Sequence, residues 1–113
     1  MTTLYGIPNC DTIKRARKWL DDKNIAYEFH DYKKAGIDRK TLQNWCKEFG
    51  YETLINKRGT TWRKLEDQLK NNINETSAIK IMQENTSVIK RPVLISDHTK
   101  IVGFNEADYK SLL

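Results

Sequence analysis

The 113-residue sequence predicts an α/β fold organised around a mixed four-stranded sheet. Three observations lead there. Residues 3–32 read as strand, helix, strand; the stretch from Asp38 to Met82 carries apolar residues at helical spacing; and the last third holds two strand-like runs around a turn, followed by a short helix. A chain of this length supports one domain with its own core, residues 1–113, and the helical stretch reads as an insertion at about 37–85.

The first strand opens at Thr3 and runs into the turn residues Gly6, Pro8 and Asn9. From Asp11 to Lys23, Ile13, Ala16 and Leu20 recur at helical spacing, with Lys14, Arg15 and Lys18 on other faces. Ile25 to Tyr32 alternates bulky and polar residues, which predicts a second strand, and the helix between makes the two strands parallel neighbours. Asp38 is the expected N-cap of a helix with Leu42, Trp45, Cys46 and Phe49 on one stripe and Gly50 at its end. Trp62, Leu65, Leu69 and Ile73 continue a helical face after Gly59-Thr60-Thr61, and Thr76 or Ser77 is the expected cap of a further helix with Ala78, Ile81 and Met82 facing inward. Val88–Ser96 and Lys100–Phe104 read as an antiparallel hairpin around Asp97-His98-Thr99. Asn105 resembles a cap for a closing helix with Tyr109, Leu112 and Leu113 on its apolar side. The order βαβ, helices, ββα is a thioredoxin-like arrangement with a helical insertion.

Composition narrows the classes of function. With 38% hydrophobic and 31% charged residues the chain is of the globular kind. It has no segment apolar enough to cross a bilayer, and Met1 leads into the first strand without leader features, so a cytoplasmic location is expected and a membrane partner is not. The net charge of +5 comes from short scattered groups such as Lys14-Arg15, Lys57-Arg58 and Lys90-Arg91, which read as solvated faces, and no direct nucleic-acid binding is expected. His30 and His98 stand at no metal-ligand spacing to a cysteine, so no metal site is expected. Neither a phosphate-binding glycine loop nor a Ser/His/Asp order is present.

Chemistry concentrates at Cys10. The strand and turn deliver this thiol to the start of a helix, where free backbone N–H groups and the helix dipole favour the thiolate, the nucleophilic form. Asn9 either shapes the turn or donates a hydrogen bond to the sulfur. Cys46 falls on the buried stripe of its helix and reads as core packing; the functional alternative is a resolving thiol. In a thioredoxin-like core a proline opens the third strand and faces the nucleophile, often through a cis bond. Pro92 occupies that place, and Arg91 is then carried toward Cys10.

The runs Leu4-Tyr-Gly-Ile-Pro-Asn-Cys-Asp-Thr-Ile-Lys-Arg-Ala-Arg17, Phe29-His-Asp-Tyr32, Asn56-Lys-Arg-Gly-Thr-Thr-Trp-Arg-Lys-Leu65 and Ile89-Lys-Arg-Pro92 resemble the arsenate reductase-like (ArsC/Spx) family, and within it the YffB-like group. The resemblance covers essentially the whole chain. It implies a thioredoxin-like fold and a reactive cysteine at Cys10, with Arg91 lowering the thiol pKa or binding an oxyanion and Arg58 supplying a second cation. Three positions depart from the family pattern. Leu54-Ile55-Asn56 stands where the arsenate reductases have Leu-Leu-Arg, with Arg58 two positions on; Lys100–Phe104 offers no late arginine; and Ile13 stands where many Spx proteins carry the second cysteine of Cys-x-x-Cys. The first two argue against arsenate as substrate, and the third removes a local disulfide switch.

The implied reaction is one-cysteine thiol chemistry. Cys10 attacks a disulfide or a small oxyanion substrate, and glutathione or a glutaredoxin-type reductant releases it, with no tightly bound cofactor. Arg58 and Arg91 would hold carboxylates of glutathione or an oxyanion, with the N–H groups of Asp11 and Thr12 and the Pro92 loop completing the cradle. The alternative implied by the resemblance is a Spx-like regulator that contacts RNA polymerase or another protein partner.

Overall fold

The computed structural model describes residues 1–113, which gather into two compact units: Met1–Ala35 with Arg91–Leu113, and Gly36–Lys90. The first unit holds a four-stranded sheet in the order β2-β1-β3-β4, with β1 Thr3–Gly6, β2 Glu28–Asp31, β3 Val93–Ile95 and β4 Lys100–Val102. β1 and β2 are parallel, whereas β1 with β3 and β3 with β4 are antiparallel. The mixed sheet and the βαβ…ββα order are the thioredoxin-like arrangement expected from the sequence.

Helix α1 (Asp11–Asp22) is the crossover between β1 and β2, and it buries Ile13, Ala16, Trp19 and Leu20 along one side. Ala16, Trp19 and Leu20 of that stripe pack with Leu4 of β1, Leu94 of β3 and Tyr109 of the closing turn into one core, bordered by Ile25, Tyr27, Phe29, Ile101, Phe104 and Leu112. Full burial of a large apolar side chain is worth roughly 1.5–3 kcal/mol, so the fully buried large members Leu4, Leu20, Leu94 and Tyr109 are the main anchors of this core. The rings of Trp19 and Phe104 meet Tyr109 edge-on, at centroid distances of 5.6 and 4.8 Å. Gly6 faces the same layer: a Cβ there would collide with the Ile13 side chain, so the absent side chain lets α1 pack directly under β1.

The second strand is shorter than the expected 25–32. Asn24 takes a positive φ of 56° and Ile25 N–H still bonds the Leu20 carbonyl at 3.0 Å, so the chain is leaving α1 until Glu28 joins the ladder. At the other end the Asp31 carboxylate accepts the Lys33 N–H at 2.9 Å, and Tyr32 opens the helical turn α2 (Tyr32–Ala35) instead of ending the strand. The third strand is likewise confined to Val93–Ile95. Val88 lies in the 3-10 turn Thr86–Val88, and the cis peptide bond joins Arg91 to Pro92 ahead of the strand. β4 ends at Val102 because Gly103 turns away with φ 88°. Asn105 caps α8 (Glu106–Tyr109) through the Ala107 N–H at 2.8 Å, and Leu113, expected on the apolar side, is exposed.

The second unit is helical. α3 (Arg39–Phe49) starts at Asp38, whose side chain accepts the Thr41 N–H at 2.7 Å, and stops at Gly50, whose φ of 84° favours glycine. It buries Leu42, Trp45 and Cys46 and packs with α7 (Glu75–Glu84), which buries Ala78, Ile79, Ile81 and Met82. The cap of α7 is Asn74, not Thr76 or Ser77: Asn74 and Ser77 exchange hydrogen bonds at 2.9 Å in a capping box. Between these helices lie the single turn α4 (Tyr51–Leu54), α5 (Thr60–Arg63) and α6 (Asp67–Asn71). The continuous face expected from Trp62 to Ile73 is broken at Glu66, which is extended with ψ 140°; Trp62 is buried and Leu69 is turned out to 45% exposure.

No helix in the chain is long and apolar enough to cross a membrane.

Candidate functional site

The carboxyl end of β1 positions the principal candidate. After Gly6, Ile7 is buried and Pro8-Asn9 forms a turn that brings Cys10 to the N-cap of α1. Cys10 has extended backbone (φ −121°, ψ 128°), and its carbonyl accepts the Lys14 N–H at 3.0 Å, the first bond of the helix. Its side chain makes no capping hydrogen bond, so the sulfur is not committed to the first-turn N–H groups that an N-cap serine would engage. The thiol is free and half-buried. Asp11 is exposed and places its carboxylate in the first turn, while Thr12 is half-buried and its hydroxyl accepts from Arg15 at 3.4 Å. Asn9 is exposed in the turn.

Strand register brings the second group to the same end of the sheet. Tyr5 of β1 pairs with Val93, so Pro92 and Arg91, just before Val93, lie where β1 runs out toward Cys10. The Arg91–Pro92 bond is cis, Pro92 is buried, and its carbonyl accepts the Gly103 N–H at 2.7 Å. Arg91 is half-buried.

A residue to which the sequence reading gave no role joins them. Gly6 pairs with Asp31, so Tyr32 also stands at this end of the sheet. It is 2% exposed, its ring stacks on Tyr5 at 6.3 Å and meets His30 edge-on at 5.9 Å, and its hydroxyl is buried without a hydrogen-bond partner. Burial holds the Tyr32 phenol above the usual tyrosine range; Tyr5 adds to the shift and the Arg91 charge opposes it. In the sequence Tyr32 closes the run Phe29-His-Asp-Tyr32 of the family resemblance and ends a strand pattern, and an aromatic in that place reads as packing.

The remaining sequence candidates lie in the helical unit. Arg58 is exposed in the turn Asn56–Gly59, where its backbone N–H donates to the Asn56 side-chain oxygen at 3.2 Å. Cys46 is 5% exposed on the inner stripe of α3, and burial, then the nearby Glu75 carboxylate, pushes its thiol pKa up. Such a thiol is protonated and shielded, which suits packing rather than attack on a disulfide.

Comparison with known proteins bears on this arrangement. Residues 5–112 match the model of the ArsC family. A protein of Haemophilus influenzae described as uncharacterised is 46% identical over 111 residues, covering 98% of this chain and 97% of that protein. The global transcriptional regulator Spx of Streptococcus agalactiae is 27% identical over 115 residues, covering 100% of this chain and 83% of the regulator. Among solved structures, a protein named YFFB aligns with a TM-score of 0.95 at 48% identity, covering 98% of this chain and 97% of that one. An arsenate reductase (ArsC) related protein from Brucella melitensis aligns with a TM-score of 0.78 at 47% identity, covering 97% of this chain and 92% of that one. The cysteine at the helix start and the cis-proline at the same end of the sheet thus sit in a chain whose length, order of elements and sequence follow one group of proteins throughout, and the chain belongs to the ArsC family.

Proposed function

We propose that this protein is a thiol reductase of the ArsC kind, with Cys10 as nucleophile and glutathione as reductant. The observation that carries the reading is Cys10 itself: a free, half-buried thiol at the N-cap of a twelve-residue helix, with no hydrogen bond tying down its side chain. Backbone N–H groups at such a position stabilise an anion, and a thiolate held there is both nucleophile and leaving group. Arg91, in the strand-entry segment at the same sheet end, is assigned the anionic part of the substrate, with the N–H groups of Asp11 and Thr12; Asn9 and Pro92 shape the walls.

With a disulfide substrate RSSR′ the chemistry balances as follows. The Cys10 thiolate attacks one sulfur, forming Cys10–S–S–R and expelling R′S⁻, which takes a proton from solvent. A glutathione thiolate attacks the Cys10 sulfur and releases RS⁻; a second attacks the glutathione sulfur of the Cys10 adduct, giving oxidised glutathione and free Cys10. The sum is RSSR′ plus two glutathione thiols to RSH, R′SH and one glutathione disulfide, a two-electron reduction with all electrons from glutathione.

The test joins mass analysis to turnover. After incubation with oxidised glutathione, one adduct is expected on Cys10 and none on Cys46. Glutathione-dependent reduction of a small dialkyl disulfide should vanish in Cys10→Ser and fall about 10- to 100-fold in kcat/KM in Arg91→Ala, the loss of one charge-assisted contact. A wild-type protein that forms no adduct and reduces no disulfide refutes the reading.

Full-length similarity to Spx supports a second reading, a regulator that acts by binding a transcription partner such as RNA polymerase. It requires no turnover at Cys10. Retention of the protein on polymerase in a Cys10→Ser variant, with no reductase activity in the wild type, would favour it.

A further inference from the structure

The helical unit contains a cavity of about 380 Å³ lined by Ile55, Asn56, Lys57, Arg58 and Lys90. Its construction depends on long-range pairing. Ile55 and Ile89 form an antiparallel bridge, the Asn56 N–H bonds the Val88 carbonyl at 2.8 Å, and the Lys90 N–H bonds the Leu54 carbonyl at 2.7 Å. These bonds set Lys90 beside the Asn56–Gly59 turn. Within the turn, the Asn56 oxygen accepts the Arg58 N–H, which orients the Asn56 amide and leaves its NH2 group as a donor without a protein acceptor. A Cβ at Gly59 would stand 3.1 Å from that NH2 nitrogen, so glycine leaves the amide its space. The Lys57 ammonium lies over the Trp62 ring, 5.9 Å from its centroid, and none of the three cations is in an ion pair.

The polar side chains lining this cavity therefore present donors and positive charge, with no carboxylate among them. Three like charges around one concavity repel each other and focus the field into it, which raises the local concentration of anions. From this we infer that the cavity is a binding site for a small anion bearing two or more negative oxygens, taken up by the Arg58 fork, the Lys57 and Lys90 ammonium groups and the Asn56 amide. Carboxylates of a peptide-like thiol and the oxygens of a phosphate group share this chemistry. The site does not depend on the reaction at Cys10.

Titration of the full-length ¹⁵N-labelled protein with S-methylglutathione, which cannot form a disulfide, and separately with inorganic phosphate, separates the two sources. Saturable shifts of the Lys57, Arg58 and Lys90 amides are expected with at least one anion. Binding should weaken about tenfold in Arg58→Gln, and again in Lys90→Gln, both exposed positions whose unaltered spectra elsewhere verify folding. It should weaken further with added sodium chloride. Response to S-methylglutathione alone assigns the site to a carboxylate ligand, and response to phosphate alone to a phosphorylated one. The diethyl ester of S-methylglutathione should not bind there. Absence of saturable shifts at these amides with both anions, or an equal response to the ester, overturns the inference. The same titration in Cys10→Ser should be unchanged, so failure of the reductase reading and failure of this site are told apart.

Discussion

Replacing Tyr109 by Phe removes one oxygen from the centre of the sheet-bearing unit and should make the protein more stable. Tyr109 is fully buried between Trp19 and Phe104, and no protein group accepts or donates a hydrogen bond at its hydroxyl. Leaving a buried hydroxyl unpaired costs roughly 1–3 kcal/mol in lost hydration. Against that, removing one oxygen leaves a void of about 15 Å³, which at about 24 cal/mol per Å³ costs roughly 0.4 kcal/mol. The balance favours Phe by about 1 kcal/mol. For a chain of this size, with a urea m-value of about 1.5 kcal/mol/M, the unfolding midpoint should rise by about 0.7 M. Urea unfolding at neutral pH, followed by tryptophan fluorescence, measures it, with Tyr109→Ala as the control that should lose about 3–5 kcal/mol by emptying the ring site. A loss of 1 kcal/mol or more in Tyr109→Phe would show that the hydroxyl has a hydrogen-bond partner and overturn the predicted gain.

The other predictions concern neighbouring features. Gly6→Ala should destabilise by about 2 kcal/mol, measured by the same urea transition, because its Cβ meets the buried Ile13 side chain, which must leave its rotamer or push α1 away; an unchanged midpoint would mean that Ile13 gives way at no cost. Stability should fall as pH rises above about 10: unfolded tyrosines lose their protons there, while Tyr32 and Tyr109, raised by burial, keep theirs in the folded state. The stabilisation from these two groups is full below that pH and is lost above it, and a combined Tyr32→Phe, Tyr109→Phe variant should show a shallower alkaline limb in thermal melts. In native protein at pH 8, a thiol reagent should modify Cys10 rapidly and Cys46 only on unfolding; two fast thiols would contradict the burial of Cys46 on α3.

What the sequence disclosed followed the range of the interactions involved. α1 and its parallel strands were legible because Ile13, Ala16 and Leu20 keep a helical period and Gly-Ile-Pro-Asn ends the strand, all local signals. The caps at Asp38 and Asn105 were legible for the same reason, whereas Asn74 was missed because Thr76 and Ser77 offered the same cap chemistry two and three residues on. Leu69 was misread because spacing alone carried it, and a single extended residue, Glu66, rotates it outward. At the sheet end, Cys10 could be found from its turn and helix start. Tyr32 could not, since its place depends on the pairing of Gly6 with Asp31 and on a hydroxyl left without a partner. Lys57 and Lys90 looked like members of scattered basic pairs until the Ile55–Ile89 bridge set them around one cavity.

The packing of Ile13 explains why the proposed chemistry uses one cysteine. In a Cys-x-x-Cys motif the second sulfur stands three residues after the first, the position Ile13 holds here. Ile13 is fully buried, and the space its side chain fills exists because Gly6 has no side chain above it. The thiol position of a local switch is therefore occupied by a core contact between α1 and β1, and a shorter, polarisable residue there would open a void in the layer that holds the Cys10 turn. A protein built this way cannot store an oxidising equivalent as a disulfide between neighbouring turns of α1. If Cys10 reacts, the electrons that restore it must arrive from another molecule, and that requirement gives an external reductant a necessary part in the proposed reaction.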